Sequence, residues 1–114
     1  NLLMVIGGSL DLPHAETHAV MLPHTLAYNA PAAPVAMRRI ARALGRPDAS
    51  SGLHELAKEL GAPTSLRELG VTAGALDRVT DLALTSPYAN PRPLSREAIA
   101  GLLARAWSGA PPAP

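Results

Sequence analysis

Pro13 and Pro23 bracket the stretch that most restricts how this chain can fold. Pro13 fixes φ in a range suited to a first helical turn. Pro23 has no N–H to give, so it is expected to end or kink the helix, with residues 24–29 adding one more turn. Between the prolines, His14 and His18 stand four apart and share one helix face. Ala15, Ala19 and Leu22 fall on a neighbouring stripe that can turn toward a core. Imidazoles so arranged suit a metal or an anionic substrate, and equally an ordinary surface helix. His24 follows Leu22-Pro23 and is expected to pack or cap. His54 lies well downstream, one place off its segment's apolar stripe and beside Glu55. It reads as a surface histidine.

Leu and Ala supply most of the 47% apolar content, with one Trp, two Tyr and no Phe. That balance favours helix over strand. A length of 114 residues points to one domain. Net charge is +1, so no field selects nucleic acid or an anionic membrane. The absence of Cys excludes disulfides and thiolate metal sites and accords with a cytoplasmic, reducing compartment. No apolar run is long enough to span a bilayer, and the start lacks the pattern of a secretory leader. Beginning on Asn1 rather than Met, the chain reads as a fragment or a trimmed product.

Residues 2–6 form an apolar run stopped by Gly7-Gly8, read as the end of a helix, with a lone strand as the competing reading. Pro34 is expected to start a second helix with Met37, Ile40, Ala41 and Leu44 on its apolar side, stopped by Gly45. Its Arg38, Arg39 and Arg42 read as a solvated face. Asp48 is a suitable N-cap for a third helix with a stripe of Leu53, Leu56, Ala57 and Leu60, ended by Gly61. Ser65 and Glu68 have capping-box spacing, which predicts a short helix ending at Gly70. Thr72 is expected to cap a helix lined by Leu76, Val79, Leu82 and Ala83. Residues 86–93 hold three prolines and are expected to be extended. Ser95 caps a last helix carrying Ala98, Ile99, Leu102, Leu103 and Ala106, with Trp107 beyond it. The expected architecture is an all-α orthogonal bundle over residues 1–107 and a disordered tail over 108–114.

Periodicity alone names no reaction. There is no Gly-rich phosphate loop, no CxxC, no GxSxG and no HExxH. His14 and His18 have zincin spacing, but Glu16 stands in the wrong place between them.

The residues from Leu12-Pro13-His14 through Leu22-Pro23-His24 to Tyr28-Asn29 resemble the signature segment of the iron-containing alcohol dehydrogenase family. One fixed position departs from it, with Ala15 where the signature has Gly. Within that family, Gly7-Gly8, Asp11 and the run Pro13-His14-Ala15-Glu16-Thr17-His18-Ala19 are similar to the maleylacetate reductase branch. Residues 27–34 and the Tyr88, Asn90, Pro91, Arg92, Pro93 pattern resemble the same branch.

The resemblance implies a two-domain oxidoreductase. An N-terminal α/β domain binds NADH or NADPH, and a helical domain supplies most of the metal and substrate site. This chain would be the later part of the helical domain, without its nucleotide-binding partner, and inactive alone. The full enzyme would be a homodimer that reduces maleylacetate to 3-oxoadipate in the breakdown of aromatic compounds. By motif position His14 matches the last histidine ligand of the family's Fe²⁺ or Zn²⁺, or holds a substrate carboxylate. His18 occupies a cleft-facing position and would bind substrate. The resemblance assigns no catalytic residue. Met4 stands where many members carry a proton-relay histidine. The competing reading is a freestanding helical interaction module with structural histidines.

Overall fold

The computed structural model describes residues 14–85 and 95–113, with the side chains of 14 and 15 left aside. The expectations for residues 2–6 and 86–93 fall outside these residues. Among the described residues there is no strand, and the all-α bundle expected from the sequence is what forms. Five helices follow in order: α1 (His14–Asn29), α2 (Pro34–Leu44), α3 (Ala49–Glu59), α4 (Ala75–Leu84) and α5 (Arg96–Ser108). A short 3₁₀ turn, Ala30–Ala32, joins α1 to α2.

Helix α1 runs through Pro23 without ending. Pro23 cannot donate to the carbonyl of Ala19, and that lost bond costs stability. Packing on both sides of the proline offsets it. Val20, Met21, Ala27 and Tyr28 are all buried, and α1 lies chiefly against α3 and also against α5. The core-facing stripe of α1 is therefore Thr17, Val20, Met21, His24 and Tyr28. Ala15, Ala19 and Leu22 were the expected stripe. Ala19 is only half-buried and Leu22 is exposed.

The core gathers Val20, Met21 and Tyr28 of α1 with Val79 and Ala83 of α4 and Ile99, Leu102, Leu103 and Ala106 of α5, closed by Leu66 and Val71. Four of the helix ends have a clear local cause. Asp48 accepts from the Ser51 backbone N–H at 3.0 Å, and Ser95 accepts from that of Ala98 at 3.2 Å. Both satisfy donors that a first helical turn leaves free. Gly45 and Gly61 take φ of 67° and 73°. In each case the residue after the glycine bonds back five residues, Arg46 to Ala41 at 3.0 Å and Ala62 to Ala57 at 2.9 Å. These two alike C-caps are Schellman turns.

Two expected helix starts differ. Ser65 does accept from the Glu68 N–H at 3.2 Å, and Gly70 turns with φ 90°, but between them lies one hydrogen-bonded turn rather than a helix. Its leading amides are engaged elsewhere. Leu66 N–H donates to the carbonyl of Ala106 at 2.9 Å and Arg67 N–H to that of Trp107 at 3.2 Å. The turn thus caps the C-terminus of α5, whose last carbonyls have no helical donors. The next helix begins at Ala75, after turns that start on Thr72 and Ala73, so Thr72 is not its cap. Trp107 lies within α5 rather than beyond it, and Ser108 still belongs to that helix.

Candidate functional site

The histidines are distributed along α1 and α3. His14 opens α1 and His18 follows one turn later, so the expected shared face exists in the backbone. His18 is half-buried at the edge of the core stripe. His24, two turns further on, is 1% exposed.

His54 is 4% exposed, which overturns its reading as a surface residue. The stripe expected for α3 was turned by about one position. The packed face is Ala49, Ser50, Gly52 and His54, while Leu60 is exposed. Small residues in the first two turns let α3 approach its neighbours closely. Gly52 lies under the aliphatic part of Arg46, whose Cδ would stand 3.0 Å from an added Cβ. Arg46 then reaches Glu55 at 3.0 Å and Glu59 at 2.8 Å on the outer side of α3. The signal for a buried His54 was there in Ser50, which stands one turn before it on the same small-residue face.

His24 and His54 meet edge to face, with ring centroids 6.2 Å apart and planes at 77°. Neither Nε2 has a hydrogen-bond partner among the described residues. Burial, then the neighbouring His54 and then Arg105 lower the His24 pKa to about 4. Burial, then Lys58 lower that of His54, against an opposing effect of Glu55. Both rings are therefore neutral near pH 7, and they join α1 to α3 rather than open onto a surface.

No three His, Cys, Asp or Glu side chains come together among the described residues in a way that could hold a metal ion. A Zn²⁺ or Fe²⁺ centre needs three or four protein ligands. The described residues do not fit a complete metal site. They also include no glycine-rich loop for a dinucleotide phosphate. No helix among the described residues is long and apolar enough to cross a membrane.

The C-terminal model of the Fe-containing alcohol dehydrogenase family matches residues 1–107. The chain belongs to that family. It is 53% identical over 107 residues to the maleylacetate reductase of Pseudomonas knackmussii, a match that covers 94% of this chain and 30% of the relative. The crystal structure of maleylacetate reductase from Agrobacterium tumefaciens superposes with a TM-score of 0.90 at 52% identity, covering 97% of this chain and 31% of that one. The corresponding enzyme structure from a Rhizobium strain gives 0.89 at 50% identity, with 97% and 31% covered. The chain thus spans about a third of the length of the relatives it matches. Family membership accounts for the helical bundle and for helix α1 within it.

Proposed function

We propose that this chain is the C-terminal part of an NAD(P)H-dependent maleylacetate reductase and contributes one wall of its substrate cleft. The observation that carries the reading is the 53% identity across 94% of the chain to an enzyme of that name. The run Pro13-His14-Ala15-Glu16-Thr17-His18, which resembles that branch of the family, supports it.

In this reading His14 and His18 are the substrate-binding residues. Two imidazoles one turn apart can grip a carboxylate from one side. The rest of α1, held in the core by Met21, His24 and Tyr28, fixes their position. Rigid positioning of such donors is what lowers a reaction barrier. The nicotinamide, bound by the part of the enzyme that precedes this chain, supplies the hydride. His14 is also the position a metal would use, as a single ligand completed from elsewhere.

The test joins the upstream part of the Pseudomonas knackmussii enzyme to these 114 residues and follows NADH or NADPH oxidation with maleylacetate. The full-length chimera should turn over, and the isolated chain should not. His14→Ala in the chimera should lower kcat/KM by roughly 100-fold, the scale for losing a preorganised charge-stabilising group. Full activity with His14→Ala would move the site elsewhere.

A further inference from the structure

Charge is spread unevenly along this chain. Residues 30–47 hold four of its ten Lys and Arg and none of its nine Asp and Glu. Three of the four, Arg38, Arg39 and Arg42, stand on α2, and all three are exposed. None of them forms an ion pair among the described residues. The remaining residues of the chain add a single acid, Asp11. Arg38 and Arg42 are four apart, so on a helix they repel each other, and α2 carries no acid to relieve them.

The structure separates the three arginines. Arg38 and Arg42 line a cleft of about 350 Å³ between α2 and the start of α3, and Arg39 does not. Met37, Ala41 and Ala49 give the cleft apolar surface. Its other two charges are already matched. Arg46 is held by Glu55 at 3.0 Å and Glu59 at 2.8 Å. The Asp48 carboxylate accepts from the Ser51 N–H and from the Ser50 hydroxyl, each at 3.0 Å, and so is engaged in the cap of α3. What remains is two uncompensated guanidinium groups at one concave site.

Concave surroundings concentrate the field of such charges. A guanidinium presents a planar fork that fits two oxygens of a carboxylate or a phosphate. Apolar lining with a few placed polar groups is the usual make-up of a small-molecule site. We propose that the α2–α3 cleft binds a small oxyanion ligand, one bearing a phosphate or two carboxylates, through Arg38 and Arg42. The reading of a solvated basic face then holds for Arg39 alone. No lining residue belongs to α1, so anion binding here and the maleylacetate reductase reading can fail independently.

The test is isothermal titration calorimetry on the 114-residue chain, with inorganic phosphate and succinate as probes. Physiological salt screens distant charges and leaves the cleft to report. At least one probe should bind one to one, and the tighter of the two names the anionic group of the ligand. Arg38→Gln and Arg42→Gln should each weaken that binding by roughly tenfold, the scale of a lost charge-assisted hydrogen bond. Arg39→Gln removes the same charge from the same helix but outside the cleft, and should change binding by less than about twofold. In nuclear magnetic resonance the Met37 methyl signal should shift on titration, while that of Met21, fully buried in the core, stays in place. Absence of saturable binding for both probes would overturn the proposal. So would an equal loss in Arg39→Gln, because a diffuse field and not a built cleft would then attract the anion. If the isolated chain does not fold, the same titrations on the full-length chimera decide, with the arginine substitutions separating the cleft from the substrate site.

Discussion

Two buried histidines, His24 and His54, meet edge to face across the α1–α3 junction, with centroids 6.2 Å apart and ring planes at 77°. Two imidazoles so enclosed are far less costly neutral than charged. Charging either places a cation beside the other and away from water.

Acid should therefore loosen the bundle. The folded-state pKa of His24 is about 4 against an ordinary 6.5. Between those values the unfolded chain binds more protons than the folded one, so stability rises with pH. The contribution is fully present above pH 6.5 and is lost as pH falls toward 4. A shift of that size is worth on the order of 3 kcal/mol. Urea midpoints at pH 7.5, 6, 5 and 4 should drop steadily, and His24→Gln should flatten the slope. An equal slope in His24→Gln would place the acid sensitivity in other groups.

Much of this fold was legible in the sequence, and the failures share one cause. Helix ends set by local chemistry were readable, because a side chain at Asp48 or Ser95 and a glycine at position 45 or 61 act within a few residues. Residues 24–29 were readable as a further turn, but an unbroken α1 through Pro23 was not, because the compensation comes from α3 and α5, distant in sequence. Ser65 and Glu68 looked like a helix start, yet Leu66 and Arg67 spend their amides on the end of α5. Burial of His54 depended on which side of α3 meets α1, and its leucines favoured the wrong side. The histidine pair of α1 was legible through family resemblance more than through physics, since spacing alone could not separate a ligand face from a surface one.

Trp107 should act as a lock between α5 and the 65–71 turn. Its indole Nε1 donates to the Val71 carbonyl at 2.7 Å, and Arg67 lies over its ring at 5.2 Å. Trp107→Phe keeps most of the apolar area and removes the donor. The loss should be about 1 kcal/mol, seen as a lower midpoint in chemical unfolding followed by circular dichroism. An unchanged midpoint would mean that water replaces the indole at Val71 without cost.

Leu103 and Leu82 offer a paired test of where the core sits. Leu103 is fully buried on α5, whereas Leu82 is 44% exposed on α4. Leu103→Ala should cost roughly 2–5 kcal/mol through lost contacts and a residual cavity. Leu82→Ala should cost well under half of that, by the smaller area it buries. Thermal unfolding of the two variants side by side checks this, and similar losses would show that α4 packs by a different face.

The three histidines with described side chains should separate by kinetics and stability when substituted in the full-length chimera. His18 is half-buried and is one half of the proposed carboxylate grip, so His18→Ala should raise KM by roughly tenfold and change kcat less, the pattern for lost uniform binding. His54 touches His24 and lies inside the α1–α3 junction. Its removal leaves a gap rather than an unbound substrate. His54→Ala should lower stability by about 1–3 kcal/mol, and the folded enzyme should keep its kcat and KM. His24→Ala should resemble His54→Ala, and the double variant should lose less than the sum of the two, because each ring is the other's neighbour. Steady-state kinetics and unfolding midpoints on the same preparations decide the matter. A KM change in His54→Ala as large as that in His18→Ala would put the buried pair in the substrate site and remove the distinction between them.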